Sequence, residues 1–172
     1  MINNLNKIFT IIIFTLFFLP INAEENISTN DHQYNFYTGN FDFSDHKQKA
    51  ILFGFQHQNE TLERNTFLGN ASPVTGGFIT ENSAAYIYTG VEWNYDMGSK
   101  MIFTPSFTPG LYYEGDGKDL GHVVEFKTEI QASYAISETS SFGMSYNHIS
   151  NASLGSKNPG ANSYMFNYLK NF

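Results

Sequence analysis

The chain has 172 residues, 17% of them aromatic, with 14 glycines and no cysteine, which fits a single domain. The absence of cysteine excludes a disulfide framework, a thiolate metal site and a cysteine nucleophile. Sixteen acidic against nine basic residues give a net charge of −7 without any basic run, so nucleic acid is not an expected partner.

The N-terminus has the layout of a secretory signal peptide. Lys7 is followed by an apolar run over residues 8–19 and then by Ala23, which precedes two acidic residues. An apolar run of this length is too short to span a bilayer core as a helix. We therefore predict a signal peptide over residues 1–23 and an exported domain over residues 24–172, with a retained membrane anchor as the alternative.

The rest of the chain predicts short, aromatic-rich strands separated by turns, without a helical segment or an internal repeat. The eight predicted strands cover residues 33–43, 49–57, 62–70, 84–95, 100–113, 122–136, 140–150 and 162–172. Several of them alternate between an apolar face and a small or polar face. The sequence therefore predicts an all-β fold whose strands each have two different environments.

The predicted sixth strand shows why a membrane barrel fits this alternation better than a soluble sandwich. Val124 and Phe126 lie on its apolar face, and Glu125 and Lys127 lie on the other. A sandwich would bury the apolar faces and leave the charges in water, whereas a barrel places the apolar face in lipid and the charges in the lumen. Strand length and the even strand number favour an eight-stranded antiparallel transmembrane β-barrel.

Charged residues are predicted to fill the inside of this barrel, because eight strands enclose only enough room for side chains. We expect them to form a paired, hydrogen-bonded interior without a solute pore. A catalytic role for one of the acidic residues is the alternative. The inward-facing charged residues are Glu92, Glu114, Glu125, Lys127 and Glu129.

Turn lengths predict which way the barrel points. Residues 96–99 and 137–139 form tight turns, whereas residues 71–83, 114–121 and 151–161 form longer connections rich in Gly, Asn and Pro. In outer-membrane barrels the short turns are periplasmic and the longer loops are extracellular. The seventh predicted strand then runs outward, and the connection that follows it is extracellular.

That seventh strand carries a candidate base and nucleophile. His148 and Ser150 are two residues apart and therefore point the same way, on the apolar face with Tyr146. Asn162 begins the last strand on the corresponding face, so all three converge on the outer wall at the depth of the outer leaflet. The chemistry of such a pair is acyl transfer, with His148 as general base for Ser150. The alternative is a set of membrane-interface residues hydrogen-bonded to the loop.

The same region resembles a known family. The run His148-Ile149-Ser150-Asn151-Ala152, followed by Asn158-Pro159-Gly160 and a strand to a terminal aromatic residue, closely resembles the lipid A 3-O-deacylase (PagL) family of outer-membrane barrels. Upstream, the pattern from Gly115 to Gly121 with Glu125-Phe126 is similar to the acyloxyacyl hydrolase relatives of that family. The resemblance spans most of the mature chain. It implies an enzyme of the Gram-negative outer membrane that hydrolyses an ester-linked acyl chain of lipid A without a cofactor.

The resemblance also implies roles for individual residues. Ser150 matches the nucleophile and His148 the base, while Asn162 stands where the best-known members have Glu. An Asn oxygen can still accept a hydrogen bond from the imidazole and fix its tautomer, but it cannot stabilise the imidazolium by charge. The predicted oxyanion donors are the Asn151 side chain and the backbone N–H groups of Ala152 and Ser153.

The remaining expectations concern substrate and partners. Lys157, in the loop after the seventh strand, is predicted either to bind a lipid A phosphate or to be solvated. Expected partners are lipopolysaccharide in the outer leaflet and outer-membrane lipid, and a homodimer is compatible with the sequence. Two other functions stay open: a non-enzymatic barrel that acts as an adhesin or stabilises the membrane, and a lipid acyltransferase.

Overall fold

A computed structural model describes residues 31–45 and 48–172, so the predicted signal peptide lies outside the described residues. The strands are β1 His32–Phe41, β2 Ala50–Asn59, β3 Arg64–Thr66, β4 Gly69–Thr80, β5 Ala85–Trp93, β6 Tyr95–Asp96, β7 Met101–Tyr113, β8 Val124–Ala135, β9 Ser140–Ser150 and β10 Ala161–Asn171. One turn of 3-10 helix spans Glu60–Leu62. In the described part of the chain, no helix is long and apolar enough to cross a membrane.

The long strands close into a single antiparallel barrel. Each pairs with its neighbours in the chain, and β1 pairs with β10 through a register that runs from Gln33–Asn171 to Asn40–Tyr164. β5 and β6 together act as one of the eight strands of the barrel wall, and both pair with β7. The short β3 forms a hairpin with the start of β4. Closure leaves no open sheet edge among the long strands, as a membrane-spanning sheet requires. The predicted eight-stranded all-β barrel is confirmed.

Burial alternates along the strands as the sequence predicts. On β9, Ser145 and Asn147 are buried in the lumen, while Met144 and Tyr146 are exposed on the outer wall. On β10, the outer face carries Phe166, which is 55% exposed. Large apolar side chains therefore cover the outside of the barrel, where lipid removes them from water.

Charged and polar side chains fill much of the lumen, and most of the predicted pairing is present. Lys127 Nζ lies 2.8 Å from Glu129 Oε2 and 4.1 Å from the ring centroid of Tyr88. Gln56 Nε2 donates to Glu92 Oε2 at 2.8 Å. These contacts compensate charges that would be costly inside a membrane protein without partners.

Two of the predicted lumen residues behave differently. Glu114 is exposed in the connection after β7, so its predicted inward position is wrong, because β7 ends at Tyr113. Glu125 does face inward and is fully buried, but within residues 31–45 and 48–172 neither of its carboxyl oxygens has a hydrogen-bond partner.

The third predicted strand was misplaced. Residues 62–70 contain only the short β3 and the start of β4. The long strand runs over Gly69–Thr80, and the predicted long loop over residues 71–83 shrinks to a turn around Ser83. Glycine and proline in this stretch indicate a loop when the sequence is read locally. In the barrel, a Cβ on Gly76 would lie 2.5 Å from the Phe55 carbonyl oxygen and 2.8 Å from the Tyr88 hydroxyl. Glycine is thus needed inside this strand because its neighbours approach closely.

We predict that Lys127→Met lowers the free energy of unfolding by about 3–5 kcal/mol, because it leaves the largely buried Glu129 carboxylate without its counter-ion. Lys157→Met is the matched control, since Lys157 pairs with Asp119 at the surface, where ion pairs contribute little. Urea unfolding in detergent micelles, followed by the fluorescence of Trp93, measures both. Equal losses for the two variants would contradict a stabilising role for the lumen pair.

Candidate active site

The structure brings His148 and Asn162 together on the outer wall. The two residues are directly opposite in the register between β9 and β10, and His148 Nδ1 lies 2.9 Å from Asn162 Oδ1. Both side chains are half-buried at the end of the barrel where β9 finishes. An amide oxygen can only accept, so this contact places the proton on Nδ1 and leaves a lone pair on Nε2.

Ser150 lies two residues further along the same face and is also half-buried. In the described part of the molecule its hydroxyl has no hydrogen-bond partner. Hydrogen bonds between a nucleophile and its base are often long in ligand-free enzymes and tighten when substrate binds. His148 and Ser150 point the same way because they are two residues apart on β9. The structure shows no hydrogen bond between their side chains.

The side chains of three residues that the sequence analysis did not single out form hydrogen bonds with Asn162. Tyr146 donates its hydroxyl proton to Asn162 Oδ1 at 2.8 Å. Asn162 Nδ2 donates to Ser44 Oγ at 3.4 Å, and Asn162 N donates to Asp42 Oδ1 at 3.3 Å. Tyr146 is two residues before His148 on β9 and therefore lies on the same face, so the sequence pattern could have identified it. Asp42 and Ser44 were not, because only the pairing of β1 with β10 brings them here.

The turn after Ser150 has an unusual backbone. Ala152 and Ser153 have φ values of 50° and 64°, and Leu154 N donates to Asn151 O at 2.9 Å across the turn. The left-handed conformation costs about 1–2 kcal/mol per non-glycine residue, and such strain is concentrated at functional sites. Within the described ranges, the N–H groups of Ala152 and Ser153 make no hydrogen bond. Two backbone donors are thus free beside Ser150.

The Asn151 side chain, a predicted oxyanion donor, is engaged with two loops. It is fully buried, and its Nδ2 donates to Leu120 O at 2.8 Å and to Lys157 O at 2.9 Å. Both N–H bonds of the amide are therefore engaged with the backbone of two loops. As placed, Asn151 holds the connection after β7 against the connection after β9 and offers no free side-chain donor to an oxyanion.

Lys157 is also engaged. Its Nζ lies 2.5 Å from Asp119 Oδ2, and both side chains are exposed. The hydrogen bond from Lys157 lowers the pKa of the Asp119 carboxyl, and the backbone N–H of Gly121 lowers it further. The sequence alternatives were phosphate binding or solvation, and the structure adds a surface ion pair to them. A phosphate would have to share Lys157 with Asp119.

Gly160 leaves room for the imidazole ring of His148 because it has no side chain. It has a φ of 61°, and a Cβ there would lie 2.9 Å from His148 Cε1. Asn158 in the same turn accepts a hydrogen bond from Asn151 N at 3.0 Å. The Asn158-Pro159-Gly160 turn therefore shapes the surroundings of His148, and these residue types favour a turn.

Comparison with known families identifies the chain. Residues 36–171 match the family model described as lipid A 3-O-deacylase (PagL). The chain belongs to this family. No curated protein gave a match.

Solved structures show the same fold. The crystal structure of the outer-membrane enzyme PagL matches with a TM-score of 0.62 and 17% identity, over 80% of this chain and 98% of that one. Neisserial surface protein A (NspA) matches with a TM-score of 0.55 and 10% identity, over 82% and 96% of the two chains. A de novo designed transmembrane β-barrel matches with a TM-score of 0.52 and 10% identity, over 84% and 98%.

Family membership and fold together place the protein in the outer membrane of a Gram-negative bacterium as a deacylase of the lipid A 3-O-deacylase family. The fold similarities alone do not distinguish the enzyme PagL from a surface protein or a designed barrel. The family match and the site residues carry the functional argument.

We predict that Gly160→Ala lowers the deacylation rate about 10- to 100-fold, because the added Cβ displaces the ring of His148, the predicted general base, and small displacements of a base have large effects. Gly98→Ala is the control. Gly98 has a similar φ of 74°, and a Cβ added there would have nothing within 4 Å, so this variant tests backbone strain alone. The measurements are acyl release from purified lipid A and thermal unfolding. An active Gly160→Ala protein would exclude the positioning role of Gly160.

Proposed function

We propose that this protein hydrolyses an ester-linked, 3-O-type acyl chain of lipid A, with Ser150 as nucleophile, His148 as general base and Asn162 as the residue that orients His148. The observation that carries the proposal is the 2.9 Å contact between His148 Nδ1 and Asn162 Oδ1, on the outer wall, two residues from Ser150. Membership of the lipid A 3-O-deacylase family supports the substrate class. The result of the reaction is a modified lipopolysaccharide.

The reaction follows from the tautomer that Asn162 selects. His148 Nε2 takes the proton of Ser150 as the hydroxyl oxygen attacks the ester carbonyl carbon. The negative charge that develops on the carbonyl oxygen is stabilised by the free N–H groups of Ala152 and Ser153. His148 then returns the proton to the departing sugar oxygen, leaving an acyl-enzyme that water hydrolyses by the same steps.

The surroundings of the site suit a lipid substrate. Phe43, Tyr146 and Tyr164 form an aromatic cluster on the outer wall, with ring centroids 6.2 Å apart for Phe43 and Tyr146 and 5.4 Å apart for Phe43 and Tyr164. Phe43 and Tyr146 are 36% and 42% exposed, so they offer an apolar surface to an acyl chain. We infer that this end of the barrel is extracellular and that the mature domain begins after a signal peptide over residues 1–23.

The acyltransferase alternative receives no support from the lumen behind β9. Asn167 Nδ2 donates to Ser145 Oγ at 2.9 Å, and Asn147 Nδ2 lies 3.3 Å from Met165 Sδ. These side chains are buried and pack against one another inside the barrel. Hydrolysis requires only water as the acceptor and fits the site on the outer wall.

We predict that Ser150→Ala abolishes acyl release, with a loss of at least about 10³-fold, because the nucleophile is removed. Ser156→Ala, in the exposed part of the same loop, is the matched control and keeps full activity. The measurement is mass spectrometry of lipid A from cells that express each variant, with folding checked by gel mobility before and after heating. Intact acyl release by folded Ser150→Ala protein would overturn the proposal, and unchanged lipid A with the wild-type protein would favour a non-enzymatic barrel.

A further inference from the structure

An Asn in the orienting position creates a problem that a carboxylate does not have. A carboxylate presents only acceptors to the imidazole, whereas an amide can present either its oxygen or its N–H₂ group. If Asn162 turned its nitrogen toward His148, the imidazole would carry its proton on Nε2 and could not act as a base for Ser150. A wrong tautomer of this kind costs a serine hydrolase about 10⁴-fold in kcat. Some other group must therefore fix the amide.

The structure contains a continuous chain of hydrogen bonds behind Asn162. His148 Nδ1 is 2.9 Å from Asn162 Oδ1, and Asn162 Nδ2 is 3.4 Å from Ser44 Oγ. Ser44 Oγ in turn donates to Asp42 Oδ1 at 3.3 Å. The same Asp42 oxygen accepts the backbone N–H of Asn162 at 3.3 Å.

The Asp42 carboxylate, at the end of this series of hydrogen bonds, determines which group donates in each of them. An ionised carboxylate can only accept, so Ser44 must donate its one proton to Asp42. The Ser44 oxygen then has only lone pairs to offer, and it takes a proton from the nitrogen end of the Asn162 amide. The oxygen end of the amide therefore faces His148. Tyr146, which also donates to Asn162 Oδ1, cannot set this direction by itself because a hydroxyl can donate or accept.

We propose that Asp42, acting through Ser44, is the positioning residue that fixes the orientation of the Asn162 amide. This inference rests on the proposed function of Ser150 and His148. Asp42 touches no reacting atom; it acts on the imidazole through two intervening side chains.

The surroundings of Asp42 suit this task. Its side chain is 1% exposed, and Lys118 Nζ lies 2.5 Å from its Oδ2, which leaves Oδ1 for Ser44 and Asn162. Lys118 is held in turn, because its carbonyl oxygen accepts the Tyr112 hydroxyl at 2.8 Å. Asp42 has a φ of 46°, a conformation that Asp and Asn tolerate better than most residues. The buried carboxylate is thus a fixed, ion-paired acceptor.

Two variants test the chain of hydrogen bonds in the full-length protein. Asp42→Asn keeps the size and the backbone tolerance of the residue but removes the charge and the acceptor-only character. Ser44→Ala leaves the ion pair of Asp42 and Lys118 intact and removes only the link to Asn162. We expect kcat for acyl release to fall about tenfold or more in Asp42→Asn and about three- to tenfold in Ser44→Ala, with KM little changed. The rate of Ser150 labelling by a fluorophosphonate should fall in parallel.

The Asn162→Asp background separates positioning from a structural role. A carboxylate at position 162 needs no orientation and provides its own charge, so Ser44→Ala and Asp42→Asn should then leave kcat unchanged or raise it. Equal losses in both backgrounds would show that Asp42 and Ser44 only support the fold, and wild-type kcat in both variants of the Asn162 protein would also overturn the proposal. Ser150→Ala run alongside distinguishes the two failures, since full activity in that variant would reject the proposed nucleophile itself.

Discussion

Closure of the barrel between β1 and β10 is the constraint on which the other features depend. A sheet in lipid cannot leave its edge N–H and C=O groups unpaired, so the first and last strands must meet. Their register fixes the neighbours of Asn162, because the same seam that ends at Asn40 and Tyr164 continues into the turn that carries Asp42 and Ser44. The requirement to satisfy the backbone therefore also assembles the surroundings of the site from opposite ends of the chain.

The candidate site places polar side chains on an apolar surface. His148 and Asn162 lie on an outer wall that is otherwise apolar, where unpaired polar groups are costly. Hydrogen bonds offset this cost, because the Asn162 amide is bonded to Tyr146 and Ser44. The buried Asn151 amide joins two loops at the same end of the barrel, because it donates to a carbonyl oxygen in each of them. Rigidity is thus concentrated where the proposed chemistry needs fixed geometry.

The sequence predicts features that depend on the alternation of side chains along one strand. It does not predict features that depend on contacts between distant strands. The alternation in β8 and β9 predicts correctly which side chains face lipid and which face the lumen. The same reasoning misplaced the third strand, because Gly76 and Gly77 indicate a turn locally, and only the close approach of Phe55, Tyr86 and Tyr88 explains them inside a strand. Nor does the local motif reveal that the Asn151 amide donates to the carbonyl oxygens of two loops.

The sequence by itself determined the class of fold, the wall on which His148 and Ser150 lie, and the family, because strand parity and a local motif need no knowledge of long-range contacts. Only the tertiary structure decided which partners Asn162 has. The contacts with Asp42 and Ser44 join residues 118 to 120 positions apart, and no local pattern encodes them. Such contacts follow from the register in which the first and last strands pair, and this register depends on all eight strands of the barrel wall.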